Sequence, residues 1–156
     1  MAKKIPWQDI DGRKYNSVEV VVHKDYVKIT AWMIGFILIG MGIFTKNILG
    51  MVFGICFLLA MIMKKSKAFT ERGLELFNDM RITSSYSFWD WKDIDVLTYE
   101  YKKEHKKAVL FYITKGDRTK KIYFDKNDKG NILKLAGEKN PNIKIYDAEK
   151  EREKLK

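Results

Sequence analysis

Ile29–Phe44 reads ITAWMIGFILIGMGIF and Ile48–Met63 reads ILGMVFGICFLLAMIM, two runs of 16 residues without a charge. Only Thr45-Lys46-Asn47 separates them. Neither run carries a polar stripe at the 3.6-residue period, so neither reads as the one-sided helix of a soluble surface. Sixteen helical residues span about 24 Å, against about 30 Å for the hydrocarbon core of a bilayer. Tyr26, Val27 and the stem of Lys28 extend the first run, and Asn47 and Lys64 the second, with the lysine heads reaching for the interface. The reading is two antiparallel membrane helices joined by a tight turn. A buried helical hairpin in a soluble domain is the alternative, but it needs more covering surface than the rest of the chain supplies. A cleaved leader fits less well. The first run follows 28 mixed residues without a small-x-small cleavage site, and the second run follows at once.

Flanking charge gives an orientation. Lys24 and Lys28 precede the first run, Lys64, Lys65 and Lys67 follow the second, and the turn holds Lys46 alone. Both termini are therefore expected in the cytoplasm, with the chain crossing the cell membrane twice. Ala31 with Gly35, and Gly50 with Gly54, are small residues at a spacing that lets helix backbones approach. Hairpin packing is their expected use, with a dimer contact as the other.

Outside the hairpin the chain is polar and basic. All 156 residues average a mean hydropathy of -0.31 and together carry a net charge of +10, but these figures blend the apolar segment over 29–63 with a charged remainder. Residues 64–156 hold 23 Lys+Arg against 16 Asp+Glu. The expected organisation is an N-terminal cytoplasmic segment over 1–28, the hairpin over 29–63, a cytoplasmic β domain over 64–147 and a charged tail over 148–156. A basic domain tethered at an anionic inner leaflet gains about 1 kcal/mol per Lys or Arg near the surface. Membrane lipids with anionic head groups are thus the expected partners, with a peptide or protein as a further candidate. Nucleic acid is not expected, because there is no recognition-helix pattern, zinc finger or RNP-like motif.

Catalytic chemistry has little to work with. Cys56 is the single cysteine and lies within an apolar run, and His23 and His105 lie 82 positions apart. That excludes a disulfide framework, a multi-cysteine zinc site and a CxxC redox pair. No Gly-rich phosphate loop, GxSxG or HExxH occurs, so neither enzyme activity nor a cofactor is expected. Asp90/Asp93/Asp95 and Asp125/Asp128 are acidic clusters, but DKNDKG lacks the ligands of a calcium loop. They read as turn and helix caps.

After the hairpin the pattern is mostly strand. Lys67–Phe77 reads as two short strands around Arg72-Gly73, followed by strands at Arg81–Phe88, Val96–Tyr101 and Ala108–Thr114. Lys120–Phe124 pairs with the last of these across the turn Lys115-Gly116-Asp117-Arg118. Asn127 or Asp128 caps a helix over Lys129–Lys139, with Ile132, Leu133, Leu135 and Ala136 on its apolar face. A last strand is expected over Asn142–Tyr146, then a frayed, solvated helix in DAEKEREKLK. Phe88, Trp89 and Trp91 are divided between the core and a membrane interface. Trp7-Gln-Asp-Ile-Asp11 nearly repeats Trp91-Lys-Asp-Ile-Asp95, a match as well explained by chance as by a duplicated turn.

The order of two membrane helices, a strand pair, the step Trp91-Lys92-Asp93-Ile94, a run of hairpins and a late helix resembles bacterial membrane proteins with a PH-like domain. Val18–Tyr26 (VEVVVHKDY) before the first helix is similar to the YcxB-like group in particular. The resemblance implies an α+β membrane protein, a two-helix transmembrane hairpin followed by a small antiparallel β PH-like domain with one helix. A PH-type domain usually ends with its helix, so a strand after Lys139 is a departure. The resemblance also implies a non-enzymatic binding module, and for some such proteins self-immunity to a membrane-active bacteriocin. A structural subunit of a transport or envelope complex is the alternative. The candidate lipid or partner site is the basic loop Lys102, Lys103, His105, Lys106 and Lys107, joined by Arg118, Lys120 and Lys121 if the next hairpin lies alongside. The competing reading of that loop is a solvated turn that discourages edge pairing.

Overall fold

The computed structural model describes residues 5–9, 11–20, 25–80 and 83–154. They divide into two compact units. The first holds 25–65, 78–80 and 83–85; the second holds 5–9, 11–20, 66–77 and 86–154.

The first unit is built on two helices, α1 (Asp25–Phe44) and α2 (Ile48–Ile62). They run antiparallel and pack through glycine. Gly35 faces Leu58, Gly42 faces Met51, and Gly54 faces Ile39. A Cβ on Gly54 would stand 2.6 Å from Ile39 Cγ1 and 2.9 Å from the Ile39 backbone nitrogen, so the close approach depends on its absence. Gly50 also lies on this seam, near the Gly42 Cα, whereas Ala31 is half-buried. The turn stops α1 and restarts α2 by local chemistry. Thr45 Oγ1 donates back to Met41 O (2.7 Å), and Asn47 Oδ1 accepts from the amides of Leu49 and Gly50 (3.1 and 3.4 Å). Tyr26–Phe44 is long and apolar enough to cross a membrane, while α2 is a shorter apolar helix.

The second unit carries the sheets. β1 (Lys14–Asn16), β2 (Lys64–Thr70), β3 (Gly73–Asp79) and β4 (Ser84–Asp90) form one, in that order. The other has the order β7-β6-β5-β8, from β5 (Val96–Tyr101), β6 (Ala108–Lys115), β7 (Arg118–Asp125) and β8 (Lys144–Asp147). β1 is a three-residue strand in a segment where no strand is expected from the sequence. It pairs antiparallel with β2, Lys14 opposite Thr70 and Asn16 opposite Ala68. The helical hairpin is therefore inserted between two paired strands, and the N-terminal segment contributes an edge strand to the sheet. Ser17 then bridges to Phe124, and Val18 N donates to Tyr123 O (2.8 Å), which brings β1 to β7 and closes the two sheets on that side.

Between the sheets lies an aromatic core. Phe69 stacks on Trp91 and on Phe124, each with ring centres 4.9 Å apart. Leu74, Leu97, Phe111, Ile113 and Ile122 surround them, and Ile132, Leu135 and Ala136 of α3 (Lys129–Lys139) plug the space. β3 is buried on both sides. Leu74 and Leu76 enter this core, while Phe77 joins Trp7 and Ala68 in a second cluster. The step after β4 has a role for each residue. Asp90 accepts from Lys92 N (3.0 Å) to cap a 3-10 turn, and Trp91 is buried with its Nε1 donating to Thr70 O (2.9 Å). Asp93 pairs with Lys115 (2.7 Å), Ile94 enters the core, and Asp95 accepts from Gly116 N (2.6 Å). Trp89 is also buried, so both tryptophans belong to the core; Phe88 is half-buried. In the similar N-terminal stretch Trp7 is buried too, and Ile10 lies outside the described residues.

Three expectations change, and a fourth lies partly outside the described residues. Not every strand is antiparallel: β8 lies parallel to β5, Val96 opposite Lys144, because it returns from the end of α3. The strand expected over Arg81–Phe88 is Ser84–Asp90, with Arg81 and Ile82 outside the described residues. Val18–Tyr26 is described only in part, since 21–24, including His23 and Lys24, are outside. The tail is a largely solvated helix, as expected, but it is tied down at one end. α4 (Ala148–Lys154) is fastened through Arg152, whose Nη1 donates to Glu100 Oε1 (2.8 Å).

Candidate functional site

Strand register sorts the basic residues. In the β6–β7 hairpin Lys115 stands opposite Arg118 and Ala108 opposite Asp125. Eight residues at about 3.3 Å each place the Arg118 end about 23 Å from the Lys102–Lys107 loop. The eight expected site residues therefore do not form one patch: the loop residues lie at one end of the hairpin, Arg118 and Lys120 toward the other, and Lys121 on the opposite face of β7.

Arg118 and Lys120 lie at the tip end. Ile122 and Phe124 point into the core, so period-2 alternation turns Lys120 and Arg118 to the same inner side. Lys120 is half-buried, and its Nζ sits 4.7 Å from the centre of the Trp89 ring, a cation–π contact. Lys67, two residues before the core residue Phe69, brings a third charge. Burial first, then the charges of Lys67 and Arg118, push the Lys120 ammonium below its ordinary value. Among the described residues no carboxylate forms an ion pair with Arg118 or Lys120. Lys67 and Trp89 could have been found from sequence only by knowing which strands meet. Lys121 points to the outer face, over Tyr112 at 5.3 Å.

At the loop end the lysines differ among themselves. Lys102 is committed to the buried Glu100 (3.0 Å), which also accepts from Tyr112 Oη (2.9 Å) and Arg152. Burial opposes ionisation of Glu100, but these three donors outweigh it and hold the carboxyl below its ordinary value. His105 is half-buried, edge-on to Tyr123 with ring centres 5.4 Å apart. Lys103, Lys106 and Lys107 are exposed.

Of the acidic clusters, Asp90 and Asp125 serve as caps, with Asp125 Oδ1 accepting from Asn127 N (2.8 Å), whereas Asp128 at the start of α3 makes no side-chain cap hydrogen bond. Among the described residues no group of three His, Cys, Asp or Glu is placed to hold a metal ion.

Residues 13–148 match the family described as Bacterial PH domain. No curated protein matches the chain. The match supports a PH-like domain and does not reach the narrower YcxB-like group. It begins at β1 and runs through the inserted hairpin to the start of α4. Domains of this kind are generally binding modules rather than catalysts, and commonly take lipids or proteins. Two small sheets closed around an aromatic core, a helical plug and a match over most of the length lead to one assignment: the chain belongs to the bacterial PH domain family.

Proposed function

We propose that this protein is a membrane-anchored binding module in which α1 and α2 both enter the bilayer and the PH-like domain holds an anionic lipid head group on the cytoplasmic side. The observation that carries the reading is Lys120, turned inward over Trp89 beside the exposed Arg118, with no carboxylate in an ion pair with either among the described residues. Two cations held this way are stabilised by an arriving phosphate. Lys67 follows the last residue of α2 by five positions, so at most about 18 Å of chain separates it from an apolar helix end. α2, at about 22 Å, is shorter than the hydrocarbon core, and Lys64 and Lys65 offer the snorkelling stems that make up the difference. The positive-inside balance supports both termini in the cytoplasm.

The test uses the full chain in an uncharged detergent with dihexanoyl phosphatidic acid, followed by calorimetry. Wild type binds, and Arg118→Glu with Lys120→Glu loses tenfold or more. Replacing Lys103, Lys106 and Lys107 with Glu leaves the affinity unchanged. Equal binding by the Arg118/Lys120 variant and wild type sinks the proposal. Self-immunity is the process-level form of the same proposal; equal peptide sensitivity with and without the gene would remove it. A structural-subunit role rests on small-residue helix faces, and Gly35, Gly50 and Gly54 are already spent on the hairpin seam.

A further inference from the structure

The loop end of the β6–β7 hairpin holds a second concavity, of about 560 Å³, within the size range of small-molecule sites. Lys102, Lys103, Lys106, Lys126, His105 and Glu149 line it, with Tyr101. Four lysines thus line it against one glutamate, which comes from α4, and one of the four, Lys102, is already paired with Glu100. The walls are fixed by backbone hydrogen bonds. His105 N donates to Lys102 O (3.0 Å), Ala108 N to His105 O (3.0 Å), and Lys126 N to Lys107 O (2.9 Å). Lys126 Nζ lies 5.4 Å from the centre of the Tyr101 ring, which restrains one cation further.

Glu100 links this cavity to the tail. Its Oε1 accepts from Lys102, on the cavity wall, and from Arg152 of α4. The same residue therefore anchors a site lysine and the helix that brings Glu149 to the rim. A concavity lined by Lys103, Lys106 and Lys126, none of them in an ion pair among the described residues, suits a compact, multivalent oxyanion. We infer that this cavity is a phosphate site for a soluble, multiply charged phosphate ligand, and that Glu149 is its internal competitor. It is independent of the Arg118/Lys120 site, about 23 Å away along the hairpin.

The probe is inorganic pyrophosphate, titrated at low ionic strength into the full chain in uncharged detergent. Arg118→Glu with Lys120→Glu removes the other phosphate site, and the chain with that background still binds; adding Lys103→Glu with Lys106→Glu weakens the remaining binding tenfold or more. Glu149→Gln removes a competing charge and tightens binding about three- to tenfold. Absence of binding in that background overturns the inference, as does unchanged affinity when either the lysine pair or Glu149→Gln is added to it. Lipid nanodiscs separate the two sources of phosphate. Equal pyrophosphate affinity in neutral and anionic discs supports a soluble ligand, and loss of binding in anionic discs alone overturns it in favour of a head group.

Discussion

Glu71, between β2 and β3, gathers two cations from distant parts of the chain. Arg13 Nε and Lys139 Nζ each lie 2.7 Å from one of its oxygens, and Arg13 also pairs with Glu138 of α3 (2.6 Å). The hydrogen bond from Arg13, then that from Lys139, lowers the Glu71 carboxyl from 4.5 to about 2. A depressed folded value means that its stabilising effect is fully present above about pH 4.5. It is lost as pH falls toward 2. The melting temperature of wild type should therefore fall over that window, and that of Glu71→Gln should fall less. Identical profiles would show that the ion pairs are too solvent-screened to matter. Glu75 shows the buried counterpart. It is fully enclosed, yet it accepts from Thr70 (3.0 Å), Arg72 (2.8 Å) and Tyr86. Burial first, then the bond to this carboxylate, pushes the Tyr86 hydroxyl up to about 12. Neither network is visible in the sequence, because the partners come from different strands or from residues far apart.

Elements with strong local chemistry are the ones the sequence marks. The helix over Lys129–Lys139 ends where expected, and the β6–β7 turn is set by Gly116 at φ +53°, a conformation that favours glycine. Gly73 is a second such point. Its φ is +151°, and a Cβ there would run into Trp89 O. Helix pairing is subtler. Gly42 carries the seam as much as Gly35 and Gly54 do, but its spacing from them is not the four-residue pattern that sequence reading looks for. Gly54→Leu should separate α1 from α2. In a Cys56→Ser background, a cysteine pair at Gly35 and Leu58 should cross-link readily, and adding Gly54→Leu should cut the yield severalfold. Unchanged cross-linking would show that the seam tolerates side chains.

At the scale of the whole chain, the insertion of the hairpin between β1 and β2 governs what can be cut out. A fragment starting at residue 66 lacks β1, which pairs with β2, and Trp7, which packs with Ala68 and Phe77. It should not give a dispersed amide spectrum. Joining residues 5–20 to 64–154 through a short turn restores both and should give one, because Asn16 already stands opposite Ala68. A well-dispersed spectrum from residues 66–156 alone would show that the N-terminal segment is dispensable.

The sequence by itself determined the apolar hairpin, the late helix, the β6–β7 turn and the basic character of the larger unit, because runs, caps and turn residues act over a few positions. Tertiary structure decided the rest. Lys14–Asn16 became a strand only by pairing with β2, and the tail helix gained a tie to the sheet where Arg152 reaches the buried Glu100. The basic residues that looked like one patch are spread along the hairpin, since strand register, which depends on partners distant in sequence, sets which charges share an end and which side chains turn inward.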